Sequence, residues 1–278
     1  MKHYLKSIFK GKLMILILSL TGFTTLYPLI WMTYTSFKTN QEIALNTFSL
    51  PTSLHFENYL NAWKTANMSV YFMNSIFVTV MSIMLTMFIG ALAAFILAKF
   101  EFKAKKWVYS LFIVGMLIPM QAILVPLFIQ MRTVHLLDSP LSLILSYTAF
   151  GLPITIFILE SFIGAFPNSI IEAAIMDGCS VFKIFIKMII PMSRPALATV
   201  IIINFLNNWK EFSFALIFIS SDEHKTLPLG LYNFIGAYSS NYAELMAAMM
   251  IASLPVILVY FILQEQIING MTAGAVKG

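Results

Sequence analysis

Apolar residues run almost unbroken through six stretches of this chain, and the charged residues gather between them. A helix needs about 20 apolar residues to cross the hydrocarbon core of a bilayer. Six segments reach that length: Leu13 to Phe37, Ser75 to Ala98, Trp107 to Met131, Pro140 to Phe162, Ala196 to Ser220 and Ala243 to Leu263. The pattern predicts an all-α, polytopic integral membrane protein with six transmembrane helices in a single domain over 1–278. One region departs from it. Between the fourth and fifth spans, residues 167–195 form a polar island with its own helical punctuation.

Inside that island, Ser169 and Glu172 have the S-x-x-E spacing of a capping box, in which each side chain satisfies a backbone donor of the first turn. Gly178 falls where a helix ends in a left-handed residue. Ser180 can cap a second helix from Val181 to Ile190, which Pro191 and Pro195 are expected to stop. Lys183 and Lys187 share one face of it, with Phe182, Phe185, Ile186 and Ile189 apolar. Two readings are open from these residues alone: a helix–turn–helix that docks a soluble partner, or an amphipathic hairpin in the lipid headgroups.

Composition sharpens the membrane assignment. Hydrophobic residues make up 59% of the 278 and charged residues 10%, against roughly 25% charge in soluble domains; mean hydropathy is +0.86. Lys2, Lys6, Lys10 and Lys12 precede the first stretch, but its apolar run exceeds the ~7–15 residues of a signal peptide and lacks a small-x-small cleavage site. It reads as a retained span. With the N-terminus inside, twelve Lys/Arg fall in inner segments, Lys99, Lys103, Lys105, Lys106, Lys183, Lys187 and Arg194 among them. Only Lys38, Lys64, Arg132 and Lys225 fall outside, so the positive-inside rule puts both termini and the island in the cytoplasm.

Prolines 28, 119, 126, 153 and 255 interrupt several spans and are expected to kink them. The longest outer loop, Lys38 to Tyr71, is expected along the membrane surface and partly helical from Phe56; contact with a binding protein is a second reading of it. The net charge of +5 comes with no basic face interleaved with aromatics, so nucleic acid is not an expected partner. Cys179 is the only cysteine, and four scattered histidines show no metal-ligand spacing.

The island's residues carry a family resemblance. Glu172-Ala173-Ala174, then Asp177-Gly178, then Met188-x-Ile190-Pro191 resemble the EAA loop of ABC importer permeases, whose usual ending is Ile-x-Leu-Pro. The resemblance covers nearly the whole chain and narrows to carbohydrate-uptake permeases like the smaller maltose-transporter subunit. Tyr27-Pro28-Leu29-Ile30-Trp31 with Ser36-Phe37-Lys38 is similar to that group's first span. Asn208-Trp209-Lys210-Glu211-Phe212 resembles its W-N-E-F element, with Lys210 where Asn is usual. The last residues, Gly270 to Gly278, resemble its terminal tail (264–278), so Gly274 and Lys277 are implied to reach the ATPase.

The resemblance implies a permease subunit in a bacterial cytoplasmic membrane, with ATPase-coupling residues Glu172, Ala173, Ala174, Asp177, Gly178 and Pro191. It implies a second homologous permease, two ATP-binding-cassette ATPase subunits, an extracytoplasmic sugar-binding protein, a sugar substrate and membrane lipid around the spans. No G-x-x-x-x-G-K-[ST] loop occurs, so ATP and Mg belong to the partner subunits and the chain itself is expected to be non-catalytic and without cofactor.

In the fifth span, Asn204, Asn207, Asn208 and Glu211 follow i, i+3, i+4, i+7 spacing and predict one helical stripe. Polar groups in hydrocarbon cost several kcal/mol unless paired or facing water, so the stripe must face the bundle interior or a wet cavity. With Trp209 it suits a carbohydrate path; hydrogen bonding to the partner permease is the other reading. The rivals are an EAA-loop permease for a polyamine or inorganic ion, an ion-coupled secondary transporter, and a lipid-processing enzyme built on Asp138, Asp177 and Asp222. The last two lack, respectively, a row of buried ionisable residues and any clustering of the aspartates.

Overall fold

A computed structural model describes residues 2–65, 67–234 and 241–275, with side chains over 11–64, 67–234 and 241–264. Among the described residues the fold is entirely helical. Four helices are long and apolar enough to cross a membrane, and two further bent pairs could each make another span. The chain divides into two compact units, one from 1–68 with 231–253 and the other from 69–230 with 254–278.

The first unit begins with α1 (Lys2–Thr35), whose apolar side chains from Leu13 to Ile30 are left uncovered by the chain itself. Such a stripe is stable only against lipid or another membrane subunit. The segment after α1 is built rather than loose. α2 (Asn40–Leu45) opens on a capping box in which Thr39 accepts from the Glu42 amide and Glu42 accepts from the Thr39 amide. Lys38 is fully buried, and its ammonium donates to Asn46 O, Thr47 O and Ser49 Oγ at 2.9, 3.3 and 3.0 Å. α3 (Glu57–Thr65) follows, so the helix expected from Phe56 is present. Asn40 accepts from the Ala243 amide and donates to Asn241, tying α2 to the start of α14 (Tyr242–Ala275). That helix passes the end of the sixth apolar stretch at Leu263 and keeps its helical backbone through 264–275.

The second unit is organised by α4 (Met68–Lys99) and α7 (Pro140–Gly164). Where they meet, their buried residues are small and hydroxylated: Ser82, Thr86 and Gly90 against Thr148, Gly151 and Thr155. In a bilayer, small residues let helices approach closely enough for dispersion and hydrogen bonding to hold them. A Cβ at Gly90 would strike the Thr155 methyl, and one at Gly151 would overlap Asn204 Oδ1.

Two of the six stretches are not straight spans. In the third, α5 (Lys105–Gly115) and the helical run ending in α6 (Leu124–Thr133) meet at 96° across residues 116–119. Pro119, with extended backbone, heads a short 3₁₀ turn and breaks the helix outright instead of kinking it. In the fifth, α11 (Arg194–Trp209) stops at Trp209 and α12 (Ser213–Phe218) begins four residues later.

Within the island, α8 (Asn168–Met176) starts two residues earlier than the S-x-x-E spacing predicts. Pro167 takes the cap position with its fixed φ, and Ser169 falls inside the first turn with no capping bond. α9 (Val181–Ile184) is capped by Ser180, which accepts from the Lys183 amide. A π turn, Phe185–Ile189, then leads into α10 (Ile190–Met192). Pro191 therefore does not stop the helix. The wider turn, with the Ile190 amide bonding five residues back to Phe185 O, accommodates the ring and the missing donor.

Two apolar cores lie at the two ends of the unit. One joins Ala91, Ala94 and Phe95 of α4 to Leu159 and Ile163 of α7, Ile171 and Ala174 of α8, and Ile184, Phe185 and Ile189. The other gathers Val78, Leu143, Ile144 and Tyr147 around Phe214, Ala215 and Phe218 of α12. The region 219–227 is fastened beside the second core. Asp138 accepts from the Ser220 and Ser221 amides, both at 2.9 Å, Asn74 donates to Glu223 O and Lys225 O, and Ser75 accepts from the Leu227 amide. α13 (Leu227–Leu231) leaves from there, with Gly230 directly against the Tyr71 ring.

Candidate functional site

The break in the fifth stretch opens a cavity of about 420 Å³. Glu211 makes the break possible. It lies just before α12 and is buried, with Oε1 accepting from the Phe214 amide at 2.7 Å and Oε2 from the Ala215 amide at 3.3 Å. The Tyr147 hydroxyl of α7 donates to Oε2 at 2.8 Å. A carboxylate at the positive end of a helix, holding donors that would otherwise be orphaned, lets the chain turn inside an apolar environment.

The cavity wall brings together Asn204, Asn207, Asn208 and Glu211 from the predicted stripe, although Glu211 lies beyond the end of α11 and is not on the same helical face. Asn204 is committed internally, donating to Thr155 Oγ1 at 3.0 Å and Val200 O at 2.8 Å. It therefore locks α11 onto α7 within this chain. Asn208 is nine-tenths buried, and its Nδ2 has no hydrogen-bond partner among the described residues. Asn207 and Lys210 are exposed.

Trp209 is not on the cavity wall. Its ring is buried, stacked on Phe205 at 5.6 Å and edge-on to Phe72 at 5.7 Å. The aromatic surfaces that do line the cavity are Tyr147, Phe150 and Phe212, and Gly151 is also on its wall. Sequence periodicity gives no signal for these, because three of the four come from other elements.

The second feature is a knob. α8 ends in a Schellman arrangement: the Gly178 amide bonds to Ile175 O and the Cys179 amide to Ala174 O, both at 2.9 Å, with Gly178 at φ +77°. Ile171 and Ala174 face the core, while Glu172, Ala173, Asp177 and Gly178 are exposed. Met176 at the tip is 87% exposed, and Ile175 and Phe182 are exposed as well. Ala174 thus packs inward, whereas Ala173 offers the flat surface. Pro191 belongs to α10 and is itself exposed. Gly274 lies in the backbone of α14 with its surroundings outside the described residues, and Lys277 lies outside them altogether.

An all-helical, multi-pass membrane subunit with a polar cavity among its helices and an apolar-tipped knob at one end has the make-up of a transport permease. The chain matches the family of binding-protein-dependent transport system inner membrane components over residues 86–272 and belongs to it; it is an ABC transporter permease. It is 37% identical over 264 residues to the diacetylchitobiose uptake system permease protein NgcG of Streptomyces coelicolor, covering 94% of this chain and 87% of that one. The sulfoquinovosyl glycerol transport system permease protein SmoH of Agrobacterium fabrum is 34% identical over 276 residues, 99% and 97% of the two chains. In fold it resembles a chain of a bacterial ABC transporter involved in import of the acidic polysaccharide alginate, with TM-score 0.79, 23% identity and coverage of 92% and 95%. Permeases of this kind are the non-catalytic subunits of their systems; ATP hydrolysis belongs to a partner ATPase.

Proposed function

We propose that this chain translocates a sugar or oligosaccharide delivered by an extracytoplasmic binding protein. It does so as one of two homologous permeases driven by two ATPase subunits. The observation that carries the reading is the cavity, where amide groups and aromatic faces converge at a break in the helix. Sugars are held by hydroxyl hydrogen bonds and aromatic surfaces, and Asn207, Asn208, Tyr147 and Phe150 supply both. The relatives support the substrate class through the saccharide-containing compounds in their names.

In this reading α5 with α6, and α11 with α12, complete six spans, both termini are cytoplasmic, and the knob at Glu172–Gly178 docks the ATPase. ATP-driven closure pulls α8, tilts the bundle and switches the cavity between outward and inward access. The cavity speaks against a polyamine path, since both Glu211 oxygens are held within the chain and Lys210 adds positive charge beside them.

The test is sugar uptake by the reconstituted importer. Asn207→Ala and Asn208→Ala should raise the apparent KM or alter which sugar is carried, with the ATPase still bound. Glu172→Lys and Gly178→Val should release the ATPase or uncouple its hydrolysis. Unchanged uptake in all four variants would refute the proposal.

A further inference from the structure

At the core end of the second unit, one ammonium joins three elements. Lys99 is the last residue of α4. Its Nζ donates to Phe166 O at 2.6 Å and to Asn168 Oδ1 at 3.1 Å, with Gly164 O at 3.5 Å. Gly164 is the last residue of α7, Phe166 lies in the link 165–167, and Asn168 is the first residue of α8. The cap of α8 explains the geometry. Pro167 holds the cap position but has no side-chain acceptor to offer, and the Asn168 carboxamide oxygen is turned to Lys99 instead. The carbonyls left over at the end of α7 are the natural acceptors for a cation.

We infer that Lys99 is the strap by which movement of the α8 knob is passed to α4, a positioning residue for coupling. The inference rests on the docking reading of α8. Without the strap, α8 is joined covalently only to α7 and, through α9 and α10, to α11. Its link to α4 would then be apolar packing of Ile171 and Ala174 around Ala91, Ala94 and Phe95, which resists separation but not sliding. A charge-assisted bond to two oxygens on either side of Pro167 is directional and resists both. The neighbouring cations do nothing comparable: Lys105 pairs with Glu101 at 2.7 Å, while Lys103 and Lys106 are exposed.

The test uses the complete importer in proteoliposomes, measuring sugar transported per ATP hydrolysed, with ATPase retention followed by copurification. Lys99→Met should keep the ATPase attached and basal hydrolysis present while the transport-to-ATP ratio falls at least fivefold. Lys99→Arg, which keeps the charge and the donors, should stay within twofold of the parent. Lys106→Gln, which removes the same charge from the same side, should leave the ratio unchanged. A parental ratio in Lys99→Met, or an equal loss in Lys106→Gln, overturns the strap. If Lys99→Met fails to assemble, Asn168→Ala decides: a reduced ratio supports the strap and a parental ratio overturns it. Failure of the docking reading itself would show separately, as Glu172→Lys and Gly178→Val complexes that keep the ATPase and the parental ratio.

Discussion

Replacing Glu211 tests the device that holds the cavity open. Its carboxylate accepts two strong bonds, from the Phe214 amide and the Tyr147 hydroxyl, and a longer one from the Ala215 amide. All these groups are buried. Glu211→Ala orphans the two strong donors at about 1–3 kcal/mol each, so the expected cost is about 2–6 kcal/mol. At about 2–4 °C per kcal/mol for a domain of this size, thermal unfolding of the purified complex should shift down on the order of 10 °C. Glu211→Gln keeps one oxygen and turns a donor toward the other side, so it should cost about 1–3 kcal/mol. Tyr147→Phe combined with Glu211→Gln should be non-additive, because both changes act on one bond. The assay is fluorescence-detected size exclusion after heating, with uptake measured in parallel. A Glu211→Ala protein that unfolds within 2 °C of the parent and transports normally would refute the claim that this carboxylate sustains the break.

Three other outcomes are expected. Gly178→Ala meets no atom within 4 Å, so its only penalty is the left-handed backbone, about 1–2 kcal/mol; Gly178→Asn should be milder, and equal melting temperatures for the two would argue against that backbone state. Gly151→Ala places a Cβ on Asn204 Oδ1 and should displace the α7–α11 bond, lowering both stability and uptake; normal values for both would refute the packing. Glu42, in the segment after α1, is held down to about 2 by the Thr52 hydroxyl and then by the Thr39 and Thr52 amides. Its folded value is depressed, so its stabilisation is complete above its ordinary value near 4.5 and is lost as pH falls toward 2. Protection of the Thr39 and Thr52 amides against hydrogen exchange should persist at pH 4 and collapse near pH 2. Glu42→Gln keeps one acceptor oxygen, so its protection should be partial and should not change between pH 4 and pH 2.

Local chemistry made some of this readable and misled elsewhere. The Gly178 break and the Ser180 cap depend on neighbours in sequence, and both are found in the structure. The S-x-x-E pattern at Ser169 has the right letters, but Pro167 moves the helix start; the same spacing at Thr39 and Glu42 forms a full capping box. Nothing local marks Lys38 as buried, because its acceptors are two backbone carbonyls and a serine brought round by a turn. Trp209 was placed on the sugar path by its type, and Phe72 and Phe205 bury it instead.

Hydropathy along the chain sufficed for a helical membrane protein with an interrupted inner region, since transfer into lipid is a property of composition over about 20 residues. It could not tell a straight span from a broken one. A break in hydrocarbon is stable only if the freed backbone groups find partners. At the second break those partners are the Glu211 carboxylate and, behind it, Tyr147 from a helix 64 residues away. The cavity, the internal commitment of Asn204 and the Lys99 junction were all decided at this level, by groups distant in sequence that meet only once the helices pack.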